Sequence, residues 1–176
     1  SYASLTPLHD YFPLTQPFDE LPWEYYVTES LVVVPDQTGD WVLGELRDAT
    51  QPDLALPGTT QLKRAYLLNA DGTLSSQDGF STPELNFEPQ SNLYAVVRHR
   101  NHVAIMSANP LVLSGDTYSY DFSESIDQAF NGSAGYKQID NNPPVFGLVA
   151  ADIDADGSIL TTDFNAWAIQ FGNADL

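Results

Sequence analysis

Between Trp23 and about Phe122 the apolar positions come in short runs rich in aromatic and β-branched residues. These are "WEYYVTESLVVVP", "DWVLGELRD", "LKRAYLLN", "NLYAVVRHR", "VAIMSA" and "TYSYDF". Such side chains fit a pleated, half-buried surface, so each run predicts a strand. Turn chemistry separates them: Pro35 to Gly39, Pro57-Gly58, Ala70-Asp71-Gly72, Gln77-Asp78-Gly79 and Ser114-Gly115-Asp116. Six to eight short strands spaced this way predict a mainly β protein, with an antiparallel immunoglobulin-like β-sandwich over residues 23–122.

The pattern changes at both ends. Residues 1–22 carry Pro7, Pro13, Pro17 and Pro22, which block both helix and central strand. The same stretch holds Tyr2, Leu5, Leu8, Tyr11, Phe12, Leu14 and Phe18, so it reads as an extended arm whose apolar side chains must lie on some surface. Residues 123–144 read as a connector: "SESIDQAF" predicts a short helix capped by Ser123, and "NGSAG" and "NNPP" break the chain. Residues 145–176 open on the apolar "VFGLVAADIDADG". They end in a helical stripe of Leu160, Phe164, Trp167, Ala168 and Phe171, with Gly172 placed to stop it. That stripe is expected to pack against the sandwich or against residues 145–149.

Between these two features lies "DIDADGSILTTD", Asp152 to Asp163. An EF-hand-type loop takes oxygen side chains at positions 1, 3 and 5, a glycine at 6, a main-chain carbonyl at 7 and a bidentate acid at 12. Here those are Asp152, Asp154, Asp156, Gly157, Ser158 and Asp163. Ile159 is the apolar plug at position 8, and Leu160 at position 9 leaves its place to water. The expected ion is Ca2+, held by Asp152, Asp154, Asp156, the Ser158 carbonyl and Asp163.

Charge supports cations as ligands. The chain of 176 residues has 24 acids against 6 Lys+Arg, a formal charge of −18. Nucleic-acid backbones bind through basic residues, so a nucleic-acid partner is excluded, and an anionic membrane surface is disfavoured. No apolar stretch is long enough to span a bilayer. Without cysteine there is neither a disulfide nor a thiolate site. Opening at Ser1 rather than Met, the chain is expected to be extracellular or on a cell surface after removal of a signal peptide.

The terminal loop with its following helix, roughly residues 146–172, resembles one half of a type I dockerin, a module that docks onto cohesins through two loop–helix repeats. No second loop is found: "DQTGD", "NADG" and "QDG" lack the spacing. Together with "WVLGELRD" and "LYAVVRHRNHVAIMSA", the loop resembles a β-sandwich module of secreted bacterial surface proteins with a dockerin-like end, over residues 41–171. The "RHRNH" run itself, Arg98 to His102, concentrates basic residues at a hairpin tip. His99 and His102 there could ligate a transition metal with an acid to complete the site, and Arg98 and Arg100 are expected to pair with carboxylates of the chain itself.

No GxSxG elbow, HExxH or glycine-rich phosphate loop occurs, and with so many acids a carboxylate pair carries no information. The sequence therefore reads as a non-enzyme. The expectation is a calcium-stabilised extracellular structural protein. It would self-assemble into a homo-polymer (filament, tube or surface layer) through its N-terminal arm docking on a neighbour. The alternative is a non-catalytic binding module for carbohydrate or a cohesin-like partner, with a polysaccharide or surface protein as ligand; Trp23, Tyr25 and Tyr26 supply aromatic surface for it.

Overall fold

A single long run, "TGDWVLGELRDA", forms β1 (Thr38–Ala49) at the centre of a five-stranded sheet. In the computed structural model, which describes residues 12–132 and 135–172 (side chains to Ile169), the protein is mainly β with antiparallel sheets and one C-terminal α-helix. The other strands of this sheet are β2 (Thr60–Asn69), β3 (Leu74–Ser75), β4 (Asn92–His99) and β5 (His102–Met106), in the order β3-β2-β1-β4-β5. Two ribbons follow: β6 (Val112–Ser114) with β7 (Thr117–Ser119), and β8 (Tyr136–Asn141) with β9 (Pro144–Leu148). The chain then closes with α1 (Thr161–Gly172).

Contacts divide the chain into two compact units. The first takes the chain up to Leu43 and Arg64–Glu88. Its core is Phe18, Tyr25, Leu31, Trp41, Leu43, Ala65 and Leu67, with Phe12 and Trp23 against it. Half of the expected arm therefore belongs to its own domain, and only residues 1–11 lie outside the described residues. Phe18 is fully buried, and Trp41 Nε1 donates to the Pro13 carbonyl at 2.8 Å.

The expected strand at residues 23–35 is replaced by irregular pairing with residues 14–18. Leu31 N donates to Leu14 O, Gln16 N to Glu29 O, and Tyr25 N to Phe18 O. Pro13 and Pro17 lack N–H groups, so a regular ladder cannot propagate there. The Gln16 side chain fills the gap: its amide donates to Tyr25 O (3.0 Å) and Val27 O (2.9 Å), and its carbonyl accepts from Phe18 N (2.6 Å). Val32, 99% exposed, and Val33, Tyr26, Val27 and Leu21 are left facing outward.

The second unit takes Gly44–Lys63 and the chain from Pro89. One of its clusters holds Ala49, Ala55 and Tyr94, with Met106 packed against them. The other gathers Ile105, Ala129 and Tyr136 with Val97, Phe122, Ile126, Phe146 and Leu148. The connector is more ordered than its breakers predict. "SESIDQAF" gives only a 3-10 turn, Ile126–Gln128, with Ser125 rather than Ser123 as its cap: Ser125 Oγ accepts from Asp127 N at 3.2 Å. Residues 136–141 pair with 144–148, so "NNPP" is a ribbon turn. Gly135 is needed there, because a Cβ would stand 2.7 Å from Val103 Cγ1.

Candidate metal centre

The acidic loop is positioned from outside as well as from within. Val103 N donates to Val149 O (3.1 Å), His102 bridges Ala150, and Ala151 N donates to the Asn101 carbonyl (2.8 Å). The residue before Asp152 is thus pinned to the β4–β5 hairpin tip. Ala151 takes a φ of 89°, a left-handed conformation costly for a residue with a Cβ and held by these bonds. Gly157, at φ 90°, makes the sharp turn the sixth loop position demands.

Inside the loop, ligand oxygens of Asp152, Asp154 and Asp156 lie within 4.8 Å of one another. Two oxygens sharing one Ca2+ at about 2.3–2.6 Å stand no more than about 5 Å apart, so the spacing suits a common ion. Asp152 is 1% exposed. Its Oδ2 accepts from Gly157 N at 3.2 Å, while its buried Oδ1 has no hydrogen-bond partner. Such an atom costs about 1–3 kcal/mol unless something satisfies it. Burial pushes the Asp152 carboxyl above the usual carboxylate range, opposed by the Gly157 N–H and reinforced by the charges of Asp163, Asp156 and Asp154. A divalent cation would answer both the orphaned oxygen and the repulsion, so the residues fit a hard, oxygen-liganded metal.

Asp163 behaves differently from its expected place at position 12. It is also buried, but its carboxylate accepts from main-chain N–H groups: Leu160 (2.8 Å) at Oδ2, and Ile153 (2.7 Å) and Asp154 (3.3 Å) at Oδ1. These bonds, from Leu160 first, hold its carboxyl below the usual range despite burial. The three clustered aspartates do not include Asp163. It closes the loop onto the start of α1, and ionised oxygens keep lone pairs for a further ligand. Ser158 sits exposed, its N donating to Asp156 Oδ1 at 2.8 Å.

The helix face does not bury as expected. Phe164 is 64% and Trp167 48% exposed, Leu160 is also outward, and the Phe171 side chain lies outside the described residues. Leu160, Phe164 and Trp167, with Ile153 and Ile159, line an apolar groove that Asp163 borders. The stripe was expected to pack on the sandwich or on residues 145–149, and its exposure leaves the groove open instead.

Sequence reasoning also undervalued the acid at Glu45. Its carboxylate takes Arg47 Nη2 at 2.7 Å and Arg98 Nε at 2.9 Å, nearly out of solvent. Arg98 thus finds its internal counterion, as the charge balance suggested. At the hairpin tip His99 Nδ1 and His102 Nδ1 stand 2.8 Å apart.

Compared with protein families, characterised proteins and solved structures, the chain matches none. Among the described residues no helix is long and apolar enough to cross a membrane.

Proposed function

We propose that the protein is a non-catalytic, calcium-stabilised structural module of an extracellular surface that associates with copies of itself through its N-terminal region. One observation carries the reading: the buried, unpartnered Oδ1 of Asp152 inside a cluster of three aspartates. A loop built around an unsatisfied acid makes sense as a site completed by a cation. Calcium is the ion the ligand set favours, since every donor is oxygen and the spacing follows the 1, 3, 5 pattern. The likeness to one half of a dockerin, and to the secreted surface module, supports an extracellular setting where calcium is abundant.

Self-association draws support from Leu21, Tyr26, Val27, Val32 and Val33, apolar surface that the first unit leaves outward. Phe12 and Phe18 are committed to their own core, so the arm's intermolecular share in this proposal falls to residues 1–11 and to outward side chains such as Leu21. The immunoglobulin-like arrangement belongs to the same proposal, supported by antiparallel pairing and short connections. A second reading has its own support. The exposed Phe164 and Trp167 beside the loop suit a binding module whose partner, a surface protein of the cohesin kind, covers α1.

The test is sedimentation and electron microscopy of the intact chain with millimolar calcium and with chelator. Ordered polymers formed with calcium and dispersed by chelator support the structural reading. Monomers in both conditions overturn it in favour of the binding module.

A further inference from the structure

We propose that His99 and His102 form a second metal site, one for a divalent transition metal and for Cu(II) before Zn(II), at the tip of the β4–β5 hairpin. It is separate from the acidic loop in chemistry, since its donors are imidazole nitrogens rather than hard oxygens.

The geometry carries the assignment. The two Nδ1 atoms are 2.8 Å apart, and the rings meet nearly at right angles (86°) with centroids 4.5 Å apart. Imidazole nitrogens bind such metals at about 2.0–2.1 Å. At that bond length, nitrogens 2.8 Å apart subtend about 85–90° at the ion. A tetrahedral angle would require about 3.3 Å between them. The right angle is that of adjacent positions in a tetragonal site, which Cu(II) and Ni(II) prefer, and Cu(II) binds most strongly in the first-row order.

The pair is held in place before any metal arrives. A register shift between Val97 and His99 re-aims the end of β4, so that His99 stands directly opposite His102. His99 is buried, His102 bridges Ala150, and the intervening Asn101 accepts from Ala151 N. Of the two arginines that flank His99, Arg98 and Arg100, the first is already offset by Glu45. Binding needs no redox step. The ring that donates between the two Nδ1 atoms shifts its proton to its own Nε2, both imidazoles stay neutral, and water fills the remaining positions. The Asn101 N–H that reaches His99 Nδ1 at 3.4 Å gives way.

The experiment is Cu(II) titration of the calcium-saturated full chain, followed by electron paramagnetic resonance and calorimetry, with Zn(II) alongside. One Cu(II) showing hyperfine coupling to two nitrogens is expected, with Zn(II) at least tenfold weaker. His99→Gln and His102→Gln should each weaken Cu(II) at least tenfold, while Asp154→Asn leaves it unchanged. If His99→Gln fails to fold, His102→Gln, at a part-exposed position, decides. A nitrogen signal that survives His102→Gln, or that disappears when the chain's third histidine is replaced (His9→Gln), overturns the site. So does Cu(II) bound through oxygen alone and lost with Asp154→Asn.

Discussion

Replacing Asp152 by Asn should change the sign of its effect with calcium. In chelator, the wild-type loop buries a carboxylate with one unpartnered oxygen amid three other aspartates. An asparagine in its place would have nearly the same shape without the charge, and its amide N–H groups could donate to the neighbouring carboxylates. The variant should therefore gain up to the cost of the unsatisfied group, about 1–3 kcal/mol. With calcium the order reverses. At a hundredfold excess over Kd the ion adds about 2.7 kcal/mol to the wild type, and the variant forfeits most of that. In a chain of this length each kcal/mol moves Tm by about 2–4 °C if unfolding is two-state. Because local opening can precede global unfolding, hydrogen exchange at Ile153, Asp154 and Leu160, whose N–H groups face Asp163, is the local readout. Melting and exchange, each with calcium and with chelator, give the four required values. A variant less stable than wild type in chelator would mean Asp152 is a structural acceptor and not a waiting ligand. One still protected by calcium would refute its ligation outright.

Phe18→Ala should cost about 3–5 kcal/mol in denaturant melts, because the ring is fully buried against Tyr25 and Trp41; a cost under 1 kcal/mol would return that segment to a detachable arm. Trp167→Ala should cost less than about 1 kcal/mol in the monomer, since the ring is half exposed, and a loss of 3 kcal/mol or more would show its face covered by the chain itself. Glu45→Gln should destabilise by about 3–5 kcal/mol at neutral pH by leaving Arg47 buried and unpaired. Burial alone would raise the Glu45 carboxyl, but Arg98 and Arg47 outweigh it and hold it below the usual value of 4.5. A depressed folded value means this contribution is present above pH 4.5 and lost as pH falls through the folded value. Acid melts of the variant should accordingly be flatter below that point, and parallel pH profiles would count against the network.

What could be read from the residues divides by the range of the interaction that decides it. Strands β1, β2, β4 and β5 were visible because alternation and β-branching are local, and their bounding turns carry Gly, Asp and Pro. The acidic loop was visible for the same reason: its spacing is internal to twelve residues. Residues 23–35 misled because their composition is that of a strand, while their partner, residues 14–18, is flanked and interrupted by proline and cannot offer a ladder. Strand propensity speaks for one side of a pair only. Gln16 resolves the conflict through its side chain, a solution that depends on which backbone groups happen to face it and that no pattern encodes.

The helix stripe fails in the opposite direction. Leu160, Phe164 and Trp167 share a face as their spacing requires, and the helix forms where expected. Periodicity states that a face is apolar; it does not state what covers it. Among the described residues nothing covers Phe164 by more than about a third of its surface, since it stays 64% exposed. The same limit applies to Asp163. Its position in the loop is legible, yet the three main-chain N–H groups that converge on it come from Ile153, Asp154 and Leu160, set by how the loop folds back on α1. A ligand at position 12 and a clamp at the helix start ask for the same carboxylate at the same place. Metal loading therefore acts on a carboxylate that already shapes the loop. Asp163→Asn should then loosen the loop even in chelator, whereas Asp152→Asn should tighten it. That opposition separates the acid that closes the loop from the acid that waits for the ion.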